Sequence, residues 1–165
     1  WAYEHFDICP DIVCFGKKTQ VCGIMANSRV DEVSDNVFNL SSRINSTWGG
    51  GLVDMIRCEA ILEVISAEGL VENARIIGRA FLEGIEAIAC KFPGVISNPR
   101  GLGLMCAFDC IDTAIRDKIL ELCLGNGLLA IACGHSSVRF RPALNLSMEE
   151  AVEGLSRLEK SVQQL

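Results

Sequence analysis

A lysine that follows directly on the end of a short apolar run is the residue in this chain best suited to covalent chemistry. In Asp11-Ile12-Val13-Cys14-Phe15-Gly16-Lys17-Lys18-Thr19-Gln20 the apolar run closes on Gly16, and Lys17 comes next. Ligands of open α/β proteins gather where strands end, and a lysine amine condenses with an aldehyde to give a Schiff base. The segment is therefore a candidate anchor for an aldehyde cofactor such as pyridoxal phosphate. A plainer reading stands beside it: lysine is mostly an exposed residue type, and Lys17-Lys18 also fits a solvated turn.

Two further segments carry groups that could hold anions. In Arg43-Ile44-Asn45-Ser46-Thr47-Trp48-Gly49-Gly50-Gly51, three glycines precede an apolar periodic stretch. Open backbone N–H groups and the helix dipole at such a start favour a phosphate, and Thr47 adds a hydroxyl; helix capping with a glycine hinge is the alternative. In Ser137-Val138-Arg139-Phe140-Arg141-Pro142, arginine alternates with apolar residues. Strand alternation puts Arg139 and Arg141 on one side, where a guanidinium fork suits a carboxylate. A structural ion pair or a charge protecting a strand edge explains the same pattern.

Other chemistry finds less support. His5 and His135 have no Ser, Cys or Asp at a motif spacing, so a nucleophile triad is not indicated. Nine cysteines contain no Cys-x-x-Cys, and Cys106/Cys110 is the closest pair; without a second pair nearby, no metal site is expected. An odd count, with members such as Cys14, Cys22 and Cys106 inside apolar segments, reads as reduced, buried cysteine in a cytoplasmic setting. Arg100-Gly101-Leu102-Gly103-Leu104 has a lone Gly-x-Gly that opens no helix, so it is read as a turn between strands.

The elements that must position these groups follow from periodicity and punctuation. Of 165 residues, 50% are apolar, 22% charged and 6% aromatic, with a net charge of −6. That is a globular composition. An acidic chain without a basic cluster argues against a nucleic-acid partner or an anionic membrane surface, and no apolar run reaches the roughly 20 residues of a membrane span. Short buried strands are expected at 12–16 and 21–26 around the lysine turn, then a long polar loop over 27–48, whose length suggests a functional or interface role. An amphipathic helix is expected from about 50 to 67 and a second from about 70 to 91, stopped by Phe92-Pro93-Gly94. Strands at about 94–98 and 103–110 precede a helix of 113–125, capped by Asp112 and ended by Gly125-Asn126-Gly127. Strands at about 128–132 and 137–141 lead to a last helix, entered through a Ser147/Glu150 capping box. The stretch from 70 onward is thus an α-β-β-α-β-β-α unit.

Taken in order, these segments resemble the carboxy-terminal part of a class III (ω-amino) aminotransferase, a fold-type I pyridoxal-phosphate enzyme. Asp11-Ile12-Val13-Cys14-Phe15-Gly16-Lys17 is similar to the family's cofactor-lysine motif, Asn45-Ser46-Thr47-Trp48-Gly49-Gly50 to its phosphate-contacting threonine segment, and Val138-Arg139-Phe140-Arg141-Pro142 to its carboxylate-binding arginine. Phe15-Gly16-Lys17-Lys18-Thr19-Gln20-Val21-Cys22-Gly23 and Arg100-Gly101-Leu102-Gly103-Leu104-Met105-Cys106-Ala107-Phe108 most resemble the L-lysine 6-aminotransferase branch.

The resemblance implies an α/β fold: the end of the cofactor-binding major domain at 1–48, a connecting helix at 49–69, and a small α+β domain at 70–165. It implies that Lys17, not Lys18, forms the Schiff base with pyridoxal 5'-phosphate and is the catalytic residue. It implies that Thr47, with Asn45 close by, reaches the cofactor phosphate of a neighbouring subunit, giving a homodimer with shared active sites, and that Arg139 holds the carboxylate of the amino acid or 2-oxo acid. The expected reaction moves the terminal amino group of L-lysine to 2-oxoglutarate. Ornithine or 4-aminobutyrate as donor, a mutase, and a non-catalytic α+β dimerisation module are the alternatives. The chain opens on Trp1-Ala2-Tyr3 as if within a longer protein. The family's acidic partner of the pyridine nitrogen and its glycine-rich phosphate element would lie upstream, so the 165-residue piece is expected to be inactive alone.

Overall fold

The computed structural model describes residues 1–44, 47 and 50–165. The chain divides into two compact units, Trp1–Ile65 and Ser66–Leu165.

The first unit is built on a two-stranded antiparallel ribbon, β1 (Ile12–Phe15) and β2 (Gly23–Ala26). The strands stand where the apolar runs predict them, but they are not buried: Ile12 and Cys14 are exposed, and the rest of the ribbon is half-buried. Two strands alone have too little surface to bury one another. The polar stretch that follows is more ordered than a loop. Asn27 caps a 3-10 turn, Ser28–Glu32, by accepting from the Arg29 N–H at 2.9 Å. The buried Asn36 then donates to the Val33 and Val30 carbonyls at 2.9 and 3.1 Å. Helix α1 (Leu52–Ala67) is present but not amphipathic. Leu52, Val53, Met55, Ile56, Leu62 and Val64 lie around its circumference, all exposed. A helix apolar on every side belongs to an interior or an interface.

The second unit holds the core. Helices α2 (Leu70–Lys91), α3 (Thr113–Gly125) and α4 (Met148–Gln163) accompany a four-stranded antiparallel sheet of β3 (Ile96–Leu102), β4 (Met105–Cys110), β5 (Ile131–Cys133) and β6 (Ser137–Phe140), in the order β3-β4-β6-β5. Cys106 lies opposite Phe140, and Phe108 opposite Val138, and all four are buried against the helices. Phe81 of α2 meets Phe140 edge-on, with ring centroids 5.3 Å apart. Every apolar residue found buried among those described lies between Ile77 and Val162.

The caps are those expected: Asp112 accepts from the Ile115 N–H at 2.8 Å, and Ser147 and Glu150 form a reciprocal box. Two strand boundaries shift, each for a local reason. Arg100-Gly101-Leu102 is not a turn but the end of β3, and the hairpin turns on Gly103-Leu104. Upstream, the register slips between Ser97 and Arg100, because Pro99 offers no N–H to the ladder and Asn98 takes a left-handed conformation (φ 50°). Strand β5 starts at Ile131, not 128, since the Leu128 N–H is still bonded to the Cys123 carbonyl at the end of α3, at 2.8 Å.

Helix α2 crosses the β3–β4 hairpin where both backbones are bare: a Cβ on Gly78 would run into the Gly103 carbonyl. Gly78→Ala is expected to destabilise the chain by about 1–3 kcal/mol through overpacking, measured by urea unfolding. Gly125→Ala, where a Cβ meets nothing within 4 Å, serves as the control and is expected to leave stability unchanged or slightly raised.

Candidate active site

Lys17 opens a single 3-10 turn, Lys17–Thr19, between β1 and β2. The turn is closed by the Gln20 N–H donating to the Lys17 carbonyl at 3.2 Å and by the Thr19 hydroxyl donating to the Val21 carbonyl at 2.8 Å. At its base Gly16 lies so near Cys22 that a Cβ would be 2.8 Å from the Cys22 sulfur. Lys17 itself sits at φ 63°, a left-handed conformation that a side chain with a Cβ rarely adopts and that collects at functional positions. Its side chain is exposed, as is that of Lys18. Among the described residues neither ammonium has a carboxylate within 4 Å; the ion pairs of this unit lie elsewhere, at Arg29–Asp11 and Arg57–Asp54 for example.

Thr47 is exposed in a turn and makes no hydrogen bond to Lys17. Asn45 lies outside the described residues, as does Gly49. Gly50 has φ 78°, and the first helical bond runs from the Met55 N–H to the Gly51 carbonyl at 3.0 Å.

Arg139 belongs to the second unit. It sits at the middle of β6, opposite Ala107 of β4 and Ile131 of β5. Since β6 is an interior strand, Arg139 does not protect a sheet edge. Its Nε is buried with no hydrogen-bond partner, and no carboxylate lies within 4 Å of it among the described residues. An unpartnered buried guanidinium nitrogen is costly unless something else satisfies it. Arg139 lines a cavity of about 310 Å³ together with Arg141, Leu128, Phe140, Pro142 and Glu150, among others. Both arginines line one cavity, but so does Phe140 between them, and Arg141 lies beyond the end of β6, so strand alternation does not reach Arg141. The Glu150 carboxylate does not neutralise them: it accepts from the Ser147 N–H at 2.8 Å, and the bonds from Ser147 hold its carboxyl below the ordinary value. A mostly apolar cavity with two guanidinium groups that have no carboxylate partner among the described residues is suited to a small carboxylate.

Two further polar groups of the second unit have no motif. Asn73 of α2 donates to the Leu144 and Leu146 carbonyls at 2.7 and 3.0 Å and so ties down the loop after Arg141. On the sheet, Asp109 gathers three donors: Arg100 Nη2 at 2.9 Å, Asn98 Nδ2 at 2.8 Å and the Ser137 hydroxyl. Asp109 lies directly opposite Ser137, two residues before Arg139. Strand alternation could have found it, since 107 and 109 share a face with 137 and 139.

The class-III aminotransferase family model matches residues 1–162. The chain belongs to the class-III aminotransferase family. It is 52% identical over 150 residues to the L-lysine-epsilon aminotransferase of Mycobacterium tuberculosis (strain ATCC 25618 / H37Rv), covering 91% of this chain and 33% of that protein. The solved lysine aminotransferase from M. tuberculosis, in its internal aldimine form, superposes with a TM-score of 0.94 at 48% identity, covering 99% of this chain and 38% of the other. A 4-aminobutyrate aminotransferase of Dictyostelium discoideum is more distant, at 32% identity over 167 residues, covering 100% of this chain and 32% of that protein. The chain thus spans about a third of the length of the relatives it matches. Fold-type I α/β architecture and pyridoxal phosphate as cofactor are those of the family.

The residues of this class-III chain fit such a cofactor. Lys17 is an exposed primary amine with no carboxylate partner among the described residues, on a tightly closed turn, and such an amine can form an imine with an aldehyde.

The Asp109 carboxyl is held down at about 2, first by the Ser137 hydroxyl, then by Asn98 and Arg100, from an ordinary 3.8. A carboxyl with a depressed folded pKa adds stability that is complete above its unfolded value and is lost as pH falls through the folded one. The unfolding free energy is therefore expected to fall between about pH 4 and pH 2, and Asp109→Asn to remove that part of the slope. Urea titrations across this range measure both.

Proposed function

We propose that this chain is the carboxy-terminal part of a pyridoxal-phosphate-dependent aminotransferase that moves the terminal amino group of L-lysine, or of another ω-amino acid, to 2-oxoglutarate. The observation that carries this reading is the likeness to lysine aminotransferases along nearly the whole chain, well above that to the 4-aminobutyrate enzyme. An ornithine or 4-aminobutyrate donor is correspondingly less favoured.

In this reading Lys17 is the catalytic residue and the covalent anchor of the cofactor. Asn45 and Thr47 hold the cofactor phosphate. Arg139 binds the substrate carboxylate. Residues 1–48 complete the cofactor-binding domain, 49–69 form the connecting helix and 70–165 the small domain. The bound cofactor supplies the electron sink for the carbon that carries the transferred amine. The chain's own residues do the rest. Lys17 Nζ would take and return a proton as general base and acid. Arg139 fixes the carboxylate, which turns binding energy into orientation.

The exposed apolar girdle of α1 supports a homodimer with shared active sites, since such a helix needs a cover. The net charge of −6 with no basic cluster argues against nucleic-acid or anionic-membrane partners; amino-acid and 2-oxo-acid substrates and a cytoplasmic setting rest on the family reading alone. Among the described residues no helix is long and apolar enough to cross a membrane.

Borohydride reduction of the full-length protein is expected to fix the cofactor covalently on the peptide containing Lys17, read by mass spectrometry. Lys17→Ala should carry no such adduct; an adduct on Lys18 instead would overturn the assignment. Arg139→Ala should weaken carboxylate substrates by about 2–5 kcal/mol, seen as a raised KM for both amino donor and 2-oxo acid. An unchanged KM would remove Arg139 from the site.

A further inference from the structure

Asn73 stands in the first turn of α2, where its residue type is unfavourable. Its backbone N–H already makes a helical bond to the Gly69 carbonyl, at 3.0 Å, and asparagine inside a helix is weaker than alanine because its side chain competes for backbone groups. The half-buried Asn73 amide makes no such local bond. Instead its Nδ2 donates to the Leu144 carbonyl at 2.7 Å and to the Leu146 carbonyl at 3.0 Å, which commits both of its N–H donors to one loop. That loop runs from the end of β6 at Phe140 to the start of α4 at Met148. Its other hydrogen bonds among the described residues stay within the loop or run to α4: the Leu146 N–H donates to the Ala143 carbonyl, and Ser147 is boxed with Glu150. Asn73 is what bonds the loop to a separate element.

The same loop walls the cavity that Arg139 lines. Arg141, Pro142 and Leu146 belong to the loop and line that cavity too. We propose that Asn73 is a positioning residue, whose amide clamps the 141–147 loop so that the cavity keeps the shape in which Arg139 receives a carboxylate; this rests on the reading of Arg139 as the carboxylate-binding residue. Asn73 does not line the cavity itself. It acts through Leu146, whose carbonyl it holds and which forms part of the wall. Little else secures the loop: Ala143, Leu144 and Asn145 are exposed, while Pro142 and Leu146 are half-buried. A loop with few buried contacts opens at small cost. Only the fraction of molecules with the loop in place presents the intact cavity, and the apparent affinity for a carboxylate falls with that fraction. A residue of α2 suits the task because α2 is anchored in the core through Ile77, Phe81 and Ile85. The clamp therefore refers the loop to the rigid part of the unit.

The experiment uses the cofactor-loaded, full-length enzyme with L-lysine and 2-oxoglutarate. Asn73→Ala is expected to raise KM for both by about three- to tenfold, the scale of one or two neutral hydrogen bonds, with kcat nearly unchanged. That split separates positioning from folding, because a loss of folded enzyme lowers kcat and leaves KM where it was. Asn73→Asp keeps the size of the side chain but sets an acceptor oxygen against two carbonyls, so it should raise KM at least as far as Asn73→Ala. Asn73→Ser, a milder change with one donor left, should fall between the original and Asn73→Ala, and it serves where Asn73→Asp does not fold. Amide hydrogen exchange over 143–146, measured without substrate, should be faster in Asn73→Ala. Unchanged KM values in these variants, a loss of kcat alone, or unchanged exchange over 143–146 overturns the proposal. Arg139→Ala keeps the two ideas apart: an unaffected KM there sinks the carboxylate-binding reading itself, whereas a raised KM there with none in the Asn73 variants sinks only the clamp.

Discussion

The alternation of side chains along β6 is the constraint from which the second unit follows. Val138 and Phe140 must enter the core, because Phe140 is what Phe81 packs against and Val138 closes on Phe108. With those two fixed inward, Arg139 has to leave the sheet on the opposite side. A one-residue slip would bury a guanidinium and expose two core residues, a change no local adjustment could offset. Register is held from both neighbours, by β4 and by β5, and at the strand's entrance by Asp109 opposite Ser137. The position of Arg139 is thus enforced by hydrophobic burial and needs no contact of its own. That is how an arginine can sit at mid-strand with an unsatisfied Nε.

The first unit obeys a different logic. Its described residues include no buried apolar side chain; Asn36, buried by its own hydrogen bonds, is what organises the stretch after β2. Order here comes from turn chemistry: the Gln20 and Thr19 bonds around Lys17, the Asn27 cap, and the bare approach of Gly16 to Cys22. Such a unit is stabilised by what covers it, and α1, apolar all round, has the same need. The left-handed backbone at Lys17 belongs with this picture. Strain at a lysine persists only where surrounding bonds over-determine the turn, and here they do.

Much of the second unit was legible in the sequence because its signals are local. Asp112 and the Ser147/Glu150 box mark helix starts through their own side-chain bonds, and Gly125-Asn126-Gly127 marks a stop. Where local signals compete, boundaries moved: the grip of the α3 terminus on Leu128 delays β5, and Pro99 displaces the β3 register. Burial in the first unit was misread for a non-local reason. Cys14 and Cys22 look like core residues by hydropathy, yet both are exposed, because two strands alone have too little surface to bury their side chains. Cys106, of equal hydropathy, is buried under α2, and burial pushes its thiol up to about 11. The motif residues Lys17 and Arg139 were legible as types in the right setting. The Asp109 network was not, since Asn98, Arg100, Asp109 and Ser137 are brought together only by strand pairing.

That network also decides which arginines of the second unit have partners. Guanidinium groups differ little in intrinsic chemistry, so what distinguishes Arg100, Arg139 and Arg141 is their partners. Arg100 is satisfied by a carboxylate, a hydroxyl and a carbonyl. Arg139 and Arg141 line a cavity whose one acidic residue, Glu150, is committed to capping α4. The two local carboxylates are therefore both spoken for, one by an arginine and one by a helix end, and neither is left to quench the cavity. Charge placement in the second unit follows from secondary structure: a cross-strand pair fixes Asp109 on the sheet, and a helix cap fixes Glu150, the acidic residue of the cavity.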